Sequence, residues 1–159
     1  MSLEPIYLAT AIEAALAAGR IHLELFRQDP RVEKKGPIDL VTAADVRTEQ
    51  AFRQLVASRF PSHEVLGEEA GGGAAEPRPG RWRWIIDPLD GTTNFAHGLA
   101  LFCVSIALEV DGQTEIAVVY DPVGQELFSA ERGGGARLNG APIRVSSRHE
   151  LVDALLCTG

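Results

Sequence analysis

Cysteine is almost missing from this chain. Cys103 and Cys157 are the only two in 159 residues, both among apolar neighbours and without CxxC or Cys/His ligand spacing. That excludes a disulfide scaffold and a structural zinc site, and marks both as reduced, buried cysteines of a cytosolic protein. Positive charge is also short. Against 22 acidic side chains stand 15 Lys and Arg, a net charge of −7, so the molecule repels phosphate backbones and nucleic acid is not an expected partner. Long hydrophobic runs are lacking too. The longest, Leu99 to Leu108, contains Ser105 and is about half of the roughly 20 residues a spanning helix needs. Glu4 and Pro5 stand where a signal peptide would carry basic residues. A cytoplasmic protein that does not enter a membrane is therefore expected. Its 45% hydrophobic and 23% charged residues suit one globular domain that buries a core without staples.

Leu8, Ile12, Leu16, Gly19, Leu23 and Phe26 recur at helical spacing. They predict an amphipathic helix within residues 3–28 with this set on its inner face, stopped by Asp29-Pro30. Thr42-Ala43-Ala44-Asp45 has the form of a capping box. It opens a second helix carrying Val46, Phe52, Leu55 and Val56 to about Phe60, before Pro61. Beyond it, runs rich in Val, Ile, Trp and Phe (64–66, 82–86, 102–110, 115–120 and 126–130) alternate with turns, of which Asp111-Gly112 is the strongest hairpin signal. Two helices followed by a strand meander read as α+β with a largely antiparallel sheet, and the lack of βαβ alternation disfavours a Rossmann fold. Residues 67–80 (GEEAGGGAAEPRPG) read as a mobile loop.

The chemistry concentrates in Trp84 to Gly98, WIIDPLDGTTNFAHG. An apolar strand runs into Asp87 and Asp90, two carboxylates pinned by Pro88 that can converge on one hard cation with the Leu89 carbonyl beside them. Gly91 lets backbone N–H groups approach a phosphate, and a helix opening after Thr92 favours the anion. Taken alone, DPLDGT reads equally well as two ordinary turns. Gly67-Glu68-Glu69, at the end of another expected strand, brings two further carboxylates, and Asp45 is both a helix cap and a candidate acid or base. His97 reads as a polar loop residue, and Trp82 and Trp84 as core strand residues.

Asp39-Leu40-Val41-Thr42-x-x-Asp45, Gly67-Glu68-Glu69 and WIIDPLDGTTNF, in that order, resemble the inositol monophosphatase family of Mg²⁺-dependent, lithium-sensitive phosphatases. The likeness continues through Asp121-Pro122 and Gly134 to Pro142 and spans residues 6–159. It implies the first half of a layered αβαβα fold, with two amino-terminal helices packed on the sheet. It also implies roles: Glu68, Asp87 and the Leu89 carbonyl for a first Mg²⁺, Asp87 and Asp90 for a second. Asp45, Glu68 and Thr92 would be catalytic, Thr92 pairing with Asp45 to orient or deprotonate the attacking water. Asp90 and the backbone of Gly91 and Thr92 would bind the substrate. Lys34 or Lys35 matches a lysine near the metals, and Glu69 supports its loop. The implied reaction is hydrolysis of a phosphorylated polyol or sugar by a homodimer, with inositol monophosphate as default substrate.

Family members are longer and carry a later Trp-Asp-x-Ala-Ala segment whose Asp completes the second metal site. No such motif occurs here, and Leu155 to Gly159 ends the chain on a strand-like segment. Residues 1–159 are thus expected to be the amino-terminal metal-binding domain, with the carboxy-terminal domain absent. Alternatives are a related phosphatase for fructose 1,6-bisphosphate, adenosine 3′,5′-bisphosphate or histidinol phosphate, or a Mg²⁺-binding fragment without turnover. A haloacid-dehalogenase-type phosphatase, with a nucleophilic Asp, would place one residue rather than two between the aspartates.

Overall fold

The computed structural model describes residues 3–27, 32–34, 40–68 and 80–156. Helix α1 (Pro5–Phe26) starts on a proline, whose missing N–H would have had no partner there. A short antiparallel hairpin, β1 (Val32–Lys34) with β2 (Leu40–Thr42), leads into α2 (Ala43–Arg59). Then follow β3 (Glu64–Gly67), β4 (Trp82–Asp90), the five-residue α3 (Thr92–Ala96), β5 (Cys103–Val110), β6 (Gln113–Asp121), β7 (Glu126–Glu131), β8 (Gly135–Leu138) and β9 (Ala141–Ile143).

Strands β3 to β9 form one seven-stranded sheet in sequence order. Only β3 and β4 pair in parallel, so the α+β expectation holds. Asp111-Gly112 (φ 53° and 80°) and Asn139-Gly140 (φ 49° and 82°) both turn through left-handed residues, the geometry whose twist matches a tight hairpin. Strands β8 and β9 escape sequence reading because GARL and API are short, exposed and without apolar alternation.

The inner face of α1 differs from the expected one. Thr10, Ala11, Ala14, Ala15, Ala18, Gly19 and His22 are buried, while Leu16 is 36% exposed and Leu8 and Ile12 only flank the core. Small side chains let the helix lie close on β5 and β6; a Cβ at Gly19 would stand 2.4 Å from the Tyr120 ring. Val46 of α2 likewise faces outward. The main core joins these alanines and Phe52 and Val56 to Trp84, Ile86, Val104, Ile106, Leu108, Ile116 and Val118. A second, smaller cluster of Ala44, Leu89, Phe95 and Phe102, with Leu25 and Phe26 against it, lies where β4 passes into α3.

By length and composition α1 could cross a membrane; here its alanine face is packed on the sheet. Leu155 and Leu156, the described residues of the segment expected to be strand-like, have no regular structure. Cys103 is half-buried rather than buried. Cys157, Asp39, Lys35, Glu69 and residues 69–79 of the expected loop lie outside the described residues, as does the Lys34 side chain.

Candidate active site

Parallel β3 and β4 bring their carboxyl ends to one edge of the sheet. Gly67 stands opposite Ile86, so the next residues to leave that edge are Glu68 and Asp87. Between β4 and β5 the register is regular to Asp87↔Ser105 and resumes at Asp90↔Cys103. Pro88 and Leu89 therefore oppose Val104 alone, which is a bulge. Its effect is specific. Residues three apart on an unbroken strand point to opposite faces, and one extra residue cancels that alternation between Asp87 and Asp90.

The first turn of α2 supplies Asp45. Its Oδ2 accepts from the Thr42 N–H at 2.8 Å and the Thr42 hydroxyl at 2.7 Å, and Ala44 N–H donates to Thr42 Oγ1 at 3.1 Å. That is the capping box the sequence predicts. The other oxygen, Oδ1, lies 3.3 Å from the Thr92 hydroxyl, which also reaches the Leu89 carbonyl at 2.8 Å. Thr92 thus ties the start of α2 to the DPLD turn. Gly91 has φ 89°, and a Cβ there would sit 2.8 Å from the Leu101 carbonyl, so backbone and packing both demand glycine.

The electrostatics are those of crowded acids. Burial pushes the Asp87 carboxyl above its usual range, and the charges of Asp90 and Asp45 push the same way, opposed by the Leu89 N–H. Burial raises Asp45 too, against hydrogen bonds from Thr42 and Thr92. Cys103, beside Asp90 Oδ2 at 3.5 Å, is pushed up to about 12 by burial and by Asp90, which leaves it a thiol and not a nucleophile.

Asp87 thus feels the charges of Asp90 and Asp45, and no cation pairs with the three among the described residues. Oxygen-only donors in mutual repulsion fit Mg²⁺. The expected trio of Glu68, Asp87 and Asp90 is not gathered tightly: among the described residues no three Asp, Glu, His or Cys side chains stand close enough to grip an ion. Glu68 is exposed at the end of β3. Outside this group, exposed His97 keeps a loop role, its Nδ1 2.7 Å from Thr93 O. Trp84 is fully buried, with Nε1–H donating to His63 at 3.1 Å.

Two supports escape sequence reading. Glu49, buried on α2, lies over Gly67, where a Cβ would be 2.4 Å from its carboxyl carbon. Its partner Arg53 also donates to Val65 O at 3.0 Å, so the pair braces the end of β3. His22, buried on α1, meets Pro88 O through Nε2 at 2.8 Å, and burial lowers its pKa to about 4. The signal for His22 was present: Ala11, Ala15, Ala18 and His22 follow helical spacing.

Comparison with known proteins gives the family and the fold. The model of the inositol monophosphatase family matches residues 4–159. Inositol monophosphatase 3 of Solanum lycopersicum is 46% identical over 158 residues, covering 96% of this chain and 57% of that protein. The crystal structure of extragenic suppressor protein suhB from Bartonella henselae superposes with a TM-score of 0.80 at 39% identity, covering 90% of this chain and 55% of that one. An IMPase/NADP phosphatase complexed with Mg²⁺ and phosphate gives a TM-score of 0.76 at 30% identity, covering 85% and 52%. The chain spans little more than half the length of these relatives.

Proposed function

The chain belongs to the inositol monophosphatase family, and from that premise we propose that it forms the amino-terminal part of a Mg²⁺-dependent phosphate monoester hydrolase acting on inositol monophosphate. The observation that carries this reading is the Asp87 carboxyl at the β4 bulge, which feels the charges of Asp90 and Asp45, with the Thr92 hydroxyl set between Asp45 and the Leu89 carbonyl. Glu68, Asp87 and the Leu89 carbonyl would hold one ion, Asp87 and Asp90 a second. Bound there, Mg²⁺ supplies Lewis-acid chemistry, acidifying water and neutralising phosphoryl charge.

The chain's own groups do the rest. Thr92 Oγ1 has one proton to give. That proton lies with the Leu89 carbonyl, which only accepts and is 2.8 Å away against 3.3 Å to Asp45 Oδ1, and the Thr92 lone pairs are left to orient the incoming water together with Asp45 and Glu68. A carboxyl whose pKa is raised by burial, as at Asp45, is the better proton acceptor near neutral pH. Asp90 and the N–H groups of Gly91 and Thr92 meet the substrate. Phosphoryl transfer needs mostly positioning and charge neutralisation, so no protein nucleophile is required. Lithium inhibition, a homodimeric state and a cytoplasmic location complete the reading.

The test is phosphate release from inositol 1-phosphate by the purified full-length protein. Hydrolysis that depends on millimolar Mg²⁺ and is lost in Asp87→Asn is expected. Metal-independent turnover, or a trapped phospho-aspartate, would overturn the mechanism.

A further inference from the structure

Pro88 lies between the candidate ligands Asp87 and Leu89, inside the bulge where β4 is out of register with β5. It is buried, so its carbonyl needs a donor that the strand pairing does not provide. The donor comes from another element: His22 of α1, 66 positions away, places Nε2 2.8 Å from Pro88 O. A carbonyl only accepts, so Nε2 carries the proton. The other nitrogen, Nδ1, is buried without a partner. A core position serving packing alone would be better filled by an apolar ring, since an imidazole here leaves one polar atom desolvated and unpaired. The ring is also confined. It stands edge-on to Phe95 and Phe102, with centroids 6.4 and 5.9 Å away and interplanar angles of 70° and 76°.

We propose that His22 is a positioning residue for the divalent cation: its Nε2–H clamps the Pro88 carbonyl and so sets the bulge that presents Asp87, the Leu89 carbonyl and Asp90. The inference rests on the metal-dependent reading above. Groups that orient ligands from behind characteristically change metal affinity by about 10- to 100-fold when removed.

The experiment is calorimetric titration of Mg²⁺ alone into full-length parent, His22→Phe and His22→Gln. Phenylalanine keeps the ring contacts and deletes the donor; glutamine keeps an N–H able to reach the carbonyl and deletes the ring. Mg²⁺ binding about tenfold weaker in His22→Phe, restored to within about threefold of the parent in His22→Gln, is the expected order. A packing role reverses it, with phenylalanine the better substitute, and parental affinity in folded His22→Phe overturns the proposal. A ¹⁵N imidazole spectrum of the parent gives an answer independent of how the variants fold. The His22 Nε2–H resonance should shift as Mg²⁺ saturates, and an unmoved resonance overturns the proposal as well. A parent that binds no Mg²⁺ takes down the metal reading and this inference together, whereas a parent that binds alongside an unaffected His22→Phe takes down this inference alone.

Discussion

Asp87 stands where burial and two neighbouring carboxylates oppose its charge. Its ionised form therefore costs the metal-free fold stability. Asp87→Asn should leave that fold as stable as the parent or about 0.5–1 kcal/mol more stable. The same substitution should remove the rise in Tm on adding Mg²⁺ and lower hydrolysis at least ~100-fold in the full-length protein. Paired melts with and without Mg²⁺ check this; a lower metal-free Tm would contradict the repulsion. Thr92→Ala and Asp45→Asn should lose activity by similar factors, and the double variant should lose little more, because the two act as one unit. His22 gives a pH signature. Its folded pKa of about 4 lies below the ordinary value of 6.5, so the unfolded chain binds its proton more readily. The stability it contributes is complete above pH 6.5 and is lost as pH falls toward 4, at most about 3 kcal/mol. Denaturant titrations between pH 7 and 4 should show that loss in the parent and its removal in His22→Gln.

At the scale of elements, α1 and the bulge of β4 hold the site. The line from Ala11 to Ala18 sets how near α1 lies to β5 and β6, and thus whether a side chain at 22 reaches Pro88. Ala15→Leu should destabilise by about 1–3 kcal/mol through overpacking. Leu16→Ala, on the outer side, should cost well under about 1 kcal/mol. Equal effects in chemical denaturation would mean the helix is turned otherwise. Gly91→Ala forces a Cβ into left-handed backbone and against the Leu101 carbonyl, so a loss of about 2–3 kcal/mol is expected. The capping box and the Asp111-Gly112 turn were legible in sequence because each closes within a few residues. The rotation of α1 was not, since periodicity locates apolar residues but not which side meets a sheet that tolerates only small ones.

For the molecule as a whole, the helices and the sheet share one core, while alternate sheet residues such as Ile85, Ala107, Ala117, Val119 and Phe128 are only half-buried. Past β9, Val145, Leu151, Val152 and Leu155 are almost fully exposed. Apolar surface of this kind favours association. A polypeptide of these 159 residues, little more than half the length of its relatives, should elute from a sizing column earlier as concentration rises. It should turn over inositol 1-phosphate negligibly in millimolar Mg²⁺, because Mg²⁺ rewards a full set of fixed oxygens. Robust hydrolysis by that polypeptide would show that residues 1–159 suffice for the chemistry.

The aspartates of DPLDGTT, the Thr42–Asp45 cap and the order of helices before strands are written in short stretches of chain, and reading those stretches was enough to reach the family. Their common side at the sheet edge is another matter. It depends on a bulge, on the parallel pairing of β3 with β4, and on a helix close enough for His22 to meet Pro88 across 66 positions. Those are distances between surfaces, and they take values only when segments remote in sequence have packed.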